Sequence, residues 1–129
     1  MRVLRAMKTA ADMMPETGQS ARTLGVRTAG RRRDVDISMI GDVVPGGGGM
    51  SVSPSPPENL PEHRRPGKFG GIGKDYVWVL ETDELPPELV YRPDPKDPDR
   101  HGFIEPSRTM SVDDYLEALQ ATRDLWRIF

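Results

Sequence analysis

The run Tyr76-Val77-Trp78-Val79-Leu80 decides the fold class. Unbroken β-branched, aromatic and aliphatic side chains over strand length are what a strand buried on both faces requires, so this segment is read as the central strand of a sheet. Turns bound it on either side. Leu85-Pro86-Pro87 follows as a stiff turn, and the glycine-rich stretch Gly67-Lys68-Phe69-Gly70-Gly71-Ile72-Gly73-Lys74-Asp75 precedes it as a flexible one. That stretch is no phosphate loop, because the pattern needs glycine where Lys68 stands and Ser or Thr where Asp75 stands. A dinucleotide fingerprint is equally absent.

Further strands are expected on both sides of this run. Downstream, Leu89 to Tyr91 and His101 to Glu105 are short strands separated by a hydrophilic loop with Pro93, Pro95 and Pro98. Upstream, Met1 to Ala6 and Val35 to Ile40 read as strands, and Pro45 with Gly46 to Gly49 then makes a tight turn into Met50 to Ser53. Period-two alternation puts Ser51 and Ser53 on one face of that strand and Val52 on the other. Residues 7–33 lack a sustained period and read as loops and short helical turns. Residues 54–73, with Pro54, Pro56, Pro57, Pro61 and Pro66, form a long loop-like connection beside the serines, placed as a lid.

The last element is a helix. Ser111 is its N-cap, Asp113 and Asp114 favour its positive end, and Arg123 and Arg127 its negative end. Val112, Tyr115, Leu116, Leu119 and Trp126 form an apolar stripe at helical spacing that belongs to the core. Strands in series with a terminal helix give an α+β fold, and 129 residues with 36% hydrophobic content suit one domain spanning residues 1–129.

Composition narrows the chemistry. There is no cysteine, which removes disulfides and thiolate metal sites and points to a reducing cytoplasm as the place of action. His63 and His101 are the only histidines, so no metal site is expected. No apolar run reaches membrane-spanning or signal-peptide length, so neither a membrane span nor export by a signal peptide is expected. The net charge of −2 is uneven: residues 1–65 carry ten Lys/Arg against seven Asp/Glu, the remainder eight against thirteen. Arg31, Arg32 and Arg33 either steer an anionic ligand or pair with Asp34 and Asp36. Three Phe, three Tyr and two Trp offer little for base stacking, so nucleic acid binding has no support beyond the arginines.

The order of these pieces resembles a known family. Val3-Leu4-Arg5-Ala6, then Asp34-Val35-Asp36-Ile37, Gly48-Gly49-Met50-Ser51-Val52-Ser53, Tyr76 to Leu80 with Leu85-Pro86-Pro87-Glu88-Leu89, and His101-Gly102-Phe103-Ile104-Glu105-Pro106 before a helix are similar to the ADP-ribosyltransferase-like toxins delivered as type VI secretion effectors of the Tse type. The resemblance implies a split, mostly antiparallel sheet with short helices and a C-terminal helix. It implies NAD as substrate, an ADP-ribose acceptor in a competing cell, and a cognate immunity protein.

The resemblance also implies roles for residues. Breaking the bond between nicotinamide and ribose needs a grip on the pyrophosphate, a hold on the ribose and stabilisation of positive charge. Arg5, Gly49, Ser51 and Tyr76 are assigned to NAD binding, with Arg5 offering a guanidinium fork to the phosphates. Ser51, Ser53, His101 and Glu105 are assigned to catalysis. His101 and Glu105, four residues apart, share a strand face and compete for the ribose-side role. Related effectors associate the histidine with this segment more firmly. Two other readings remain at this point: a glycohydrolase that only destroys NAD, and a non-catalytic interaction module.

Overall fold

Leu4 explains why the sheet is covered on both sides. Its strand, β1 (Arg2–Met7), alternates between two apolar layers, and five of its six residues are buried. A computed structural model describes residues 1–129. The remaining elements are β2 (Asp42–Val43), β3 (Met50–Pro54), β4 (Tyr76–Glu81), β5 (Leu89–Pro93), β6 (Gly102–Pro106), β7 (Met110–Ser111), α1 (Val112–Ala121) and β8 (Arg127–Ile128). The six-stranded sheet runs β5-β6-β3-β1-β4-β8 with every pairing antiparallel, and β2 pairs with β7 in a separate two-stranded ribbon. This is an α+β fold dominated by antiparallel sheet.

One layer is the main core. Val3, Met7, Met50, Val52, Trp78, Leu80 and Ile104 point into it from the sheet, and Tyr115, Leu119 and Trp126 close it from the C-terminal end of the chain. The other layer is smaller, with Leu4, Leu60 and Val77 buried together against Phe69 and Val79. Because β4 feeds both layers, its sequence is continuously apolar rather than alternating. It is not the centre of the sheet, however. The two-residue β8 is its only outer neighbour, and β1 and β3 hold the middle.

Residues 54–73 cover the smaller layer. They are ordered by backbone bonds such as Ile72 N to Glu62 O and Gly73 N to Arg65 O, with single 3-10 turns at Pro57–Asn59 and Gly67–Phe69. A Cβ on Gly73 would lie 2.6 Å from the Arg64 carbonyl, so the loop closes on itself only with glycine there.

Three local expectations are corrected. Val35 to Ile40 is not a strand: Val35 makes a single bridge to Gly48, and Gly41 N bonds Ser38 O in a turn that leaves Met39 and Ile40 exposed. The strand falls instead on Asp42–Val43. The triplet Arg31 to Arg33 pairs with neither Asp34 nor Asp36, because Arg27 already holds Asp34 through Nη2 at 2.7 Å. Neither Arg123 nor Arg127 serves the end of α1: Arg127 lies on β8, its Nη1 donating to Asp124 O at 2.7 Å. The helix stops at Ala121, and Arg123 grips Asp12 with two bonds of 2.6 and 2.7 Å, tying the chain end to an early loop. Ser111 does cap α1, accepting from Asp114 N at 3.1 Å.

Candidate functional site

Strands β1 and β3 pair only at Val3 with Pro54 and Leu4 with Ser53, and then diverge. Arg5 sits in the opening. Its Nη1 donates to Ser51 O at 2.7 Å, its Nε and Nη2 donate to Thr23 O at 3.1 and 2.9 Å, and Nη2 also reaches Ser20 O and Gly25 O. The side chain thus replaces backbone donors that the ladder would have supplied. It is 6% exposed and has no carboxylate partner, and burial lowers its pKa to about 10. Of five guanidinium hydrogens, one on Nη1 stays uncommitted.

Gly25 lets the loop reach Arg5. At φ +154° its missing Cβ avoids the Gly18 carbonyl, and Thr17 and Leu24 bridge to hold the turn. The opening is a cavity of about 180 Å³. Arg5, Arg27, Arg64, His63 and His101 line it with a single acid, Asp34, which is already bonded by Arg27. Arg64 makes no ion pair. A cleft with this balance favours an anionic guest.

Ser51 and Ser53 face the cleft from β3 while Val52 enters the core, as the alternation predicted. Antiparallel register with β6 sets Ser51 opposite Phe103, which carries His101 to the position across from Ser53. The β5–β6 hairpin then sets Asp94 beside His101, where Asp94 Oδ2 accepts from Nδ1 at 2.8 Å. That bond holds the Asp94 carboxyl below the usual aspartate range, with a second bond from Lys96 N to Oδ1 helping. With its proton on Nδ1, the neutral imidazole presents a lone pair at Nε2. Phe103 packs edge-on against the ring at 4.8 Å and fixes its plane.

Four of the residues expected from the sequence therefore meet: Arg5, Ser51, Ser53 and His101. Three do not. Tyr76 lies at the exposed start of β4 and does not line the cleft. Gly49 is buried and does not line the cleft; a Cβ there would come within 2.5 Å of Ile104 O and 2.9 Å of the Tyr115 hydroxyl. Glu105 is 1% exposed and bonded to Arg92 Nε at 2.7 Å and Gly46 N at 2.9 Å, so it ties the glycine turn to β6 on a different groove. Sharing a strand face with His101 does not bring it to the same cavity.

Asp94, Arg27, Asp34 and Arg64 went unnoticed as site residues. Asp94 alone carried a signal: once Leu89–Tyr91 and His101–Glu105 are paired as a hairpin, the residue after Pro93 falls opposite His101. The others enter through irregular loops with no period to read.

No helix is long and apolar enough to cross a membrane. No curated protein matches the chain. A family model described as Tse2 ADP-ribosyltransferase toxin matches residues 10–126, which sets aside the non-catalytic module. The chain therefore belongs to the Tse2 ADP-ribosyltransferase toxin family.

Proposed function

We propose that NAD binds in the cleft between β1 and β3 and that ADP-ribose is transferred from there to an acceptor in the target cell. The observation carrying this reading is the placement of His101 Nε2, freed by the Asp94 bond, at a cavity lined by Arg5 and Arg64. The uncommitted Arg64 and the remaining Nη1 hydrogen of Arg5 take the pyrophosphate. Ser51 and Ser53 flank the nicotinamide ribose. Gly49 and Tyr76 have no contact role in this scheme.

In the transfer step the acceptor oxygen or nitrogen forms a bond to ribose C1′ as the C1′–N bond to nicotinamide breaks. The bonding pair returns to the pyridinium ring, neutral nicotinamide leaves, and the acceptor proton passes to His101 Nε2. Asp94 holds the ring and stabilises its charged form. Arg5 acts chiefly by keeping the sheet open. Such a toxin acts where NAD is abundant, in the cytoplasm of a target cell, and the producing cell requires an immunity protein that blocks this cleft.

Incubation of the wild-type chain with adenine-labelled NAD in a bacterial extract tests the scheme. Label is expected on a macromolecule, with His101→Ala lowering incorporation by on the order of 10² or more. Release of free ADP-ribose with no labelled acceptor would make the protein a glycohydrolase instead. Equal incorporation by folded His101→Ala would remove the histidine from the chemistry.

A further inference from the structure

A second cavity, about 460 Å³, adjoins the first and shares Ser53, Leu60, Pro61 and His101 with it. His101 stands at the junction. On the far wall, Arg65 Nη1 donates to Glu58 O at 2.9 Å and Arg100 Nη2 donates to the same oxygen at 3.2 Å. Two guanidinium groups thus converge on one neutral carbonyl. The cavity also holds Glu62, Asp94 and Asp97, yet neither arginine forms an ion pair with any of them. Asp94 is turned to His101 instead. Arg65 Nε is buried with no hydrogen-bond partner.

Adjacent like charges repel, and a buried N–H without an acceptor is unfavourable, so binding of an anion between the two is favoured. A phosphate oxygen set fits, because it accepts from two guanidinium forks at once. We propose that Arg65 and Arg100 form a phosphate subsite for the ADP-ribose acceptor. The assignment rests on the reading that NAD occupies the first cavity, since the acceptor then reaches His101 from the second. Arg100 directly precedes His101 in the chain, so a phosphate held there lies next to the group that takes the acceptor's proton. The same phosphate chemistry could come from the donor, and the two sources are separable by experiment.

The full chain carrying His101→Ala, which permits production of the toxin, is titrated with inorganic phosphate against chloride at matched ionic strength. The side-chain Nε–H signals of Arg65 and Arg100 are followed by NMR. Saturable movement of both is expected, with phosphate affinity about tenfold lower in R100Q. Unmoved signals, or unchanged affinity in R100Q, overturn the subsite. R65Q is expected to lower phosphate affinity likewise, and R65K, which keeps the charge but loses the fork, replaces it where R65Q fails to fold.

For the source of the phosphate, R100Q is made in the active chain. Incorporation of labelled ADP-ribose in extract is expected to fall about tenfold while NAD affinity stays unchanged. Parallel loss of NAD affinity would give the arginines to the donor and overturn the acceptor assignment. Absence of NAD binding in the unsubstituted chain would sink the donor reading alone, and the phosphate titration still decides the arginine pair.

Discussion

The Nη1 of Arg5 donates to the carbonyl oxygen of Ser51 across 2.7 Å, at the place where the β1–β3 ladder stops. One side chain therefore both ends the pairing and satisfies the backbone that the ending exposes. Lysine keeps the charge but has a single nitrogen, which cannot reach Ser51, Thr23, Ser20 and Gly25 together. Arg5→Lys is expected to lower unfolding free energy by about 3 kcal/mol, since buried carbonyls and a buried charge lose partners. Chemical denaturation measures it. An unchanged midpoint would show that the split is held open by the surrounding loops instead.

Glu105 is predicted to matter for stability and not for the chemical step. Its carboxylate joins Arg92 to the amide of Gly46 and is itself 1% exposed, so losing the charge weakens two bonds at a nearly buried group. Glu105→Gln should destabilise the chain by about 2 kcal/mol while turnover on NAD, measured well below the melting temperature, stays near wild type. Loss of turnover with an unaltered melt would return Glu105 to the reaction.

Most of the sheet was legible because its strands carry strong local patterns. Tyr76 to Leu80, Met50 to Ser53 and the Ser111-capped start of the helix appear where periodicity placed them, although the helix ends at Ala121, short of the Trp126 that the apolar stripe included. What could not be read was rank within the sheet. β4 is apolar on both faces because residues 54–73 fold over it, not because it is central, and sequence alone does not separate those causes. Val35 to Ile40 misled through its alternation, which the turn at Ser38 to Gly41 overrides. In the site, Arg5, Ser51, Ser53 and His101 followed from motif order, whereas Asp94 required strand register and Arg64 required the path of an irregular loop.

The Tyr115 hydroxyl links two strands that meet below the cleft, accepting from Met50 N at 3.1 Å and donating to Ile104 O. Burial pushes its pKa up, so it remains a neutral donor and acceptor at any physiological pH. Tyr115→Phe leaves the Met50 amide without a partner and should cost about 1–3 kcal/mol. Gly49→Ala drives a methyl against the same hydroxyl and the Ile104 carbonyl, with an expected loss of about 1–3 kcal/mol from overpacking. Thermal melts read both. Wild-type stability in Gly49→Ala would mean that the glycine serves ligand approach, as the sequence first implied, and not packing.

Acid should weaken the fold through three aspartates. Bonds from Arg22 to Asp75, Arg123 to Asp12 and His101 to Asp94 hold these carboxyls below the ordinary value of 3.8. The unfolded chain therefore binds more protons than the folded one at acid pH. Stability from these groups is fully present above the ordinary value and is lost as pH falls through the lower folded values. The melting temperature is expected to hold down to about pH 5 and to decline below it. Asp75→Asn, which removes the carboxylate bonded twice by Arg22 at 2.7 Å, should show a shallower decline. Identical acid slopes for variant and wild type would assign the acid sensitivity to other groups.

Asp94→Asn isolates what the carboxylate does for His101. In the wild type, Oδ1 accepts from Lys96 N at 2.9 Å and Oδ2 accepts from His101 Nδ1 at 2.8 Å, so the ring proton is fixed on Nδ1. An asparagine at this position keeps its carbonyl oxygen on Lys96 N, because only an acceptor can meet that amide. Its NH2 group then faces His101, where it must donate, and Nδ1 must become the acceptor. The ring proton moves to Nε2, and the lone pair needed for the acceptor's proton is gone from the cleft. Turnover is expected to fall by on the order of 10² to 10⁴, with NAD affinity little changed and the melting temperature lowered only by the loss of the Asp94 charge. The ring nitrogens of His101 provide an independent readout, since their NMR shifts report the tautomer directly. They should switch from the Nδ1–H to the Nε2–H pattern in Asp94→Asn and return in Asp94→Glu if the longer carboxylate regains the bond. A variant that loses turnover with the Nδ1–H tautomer intact would show that Asp94 acts on the loop and not through the histidine.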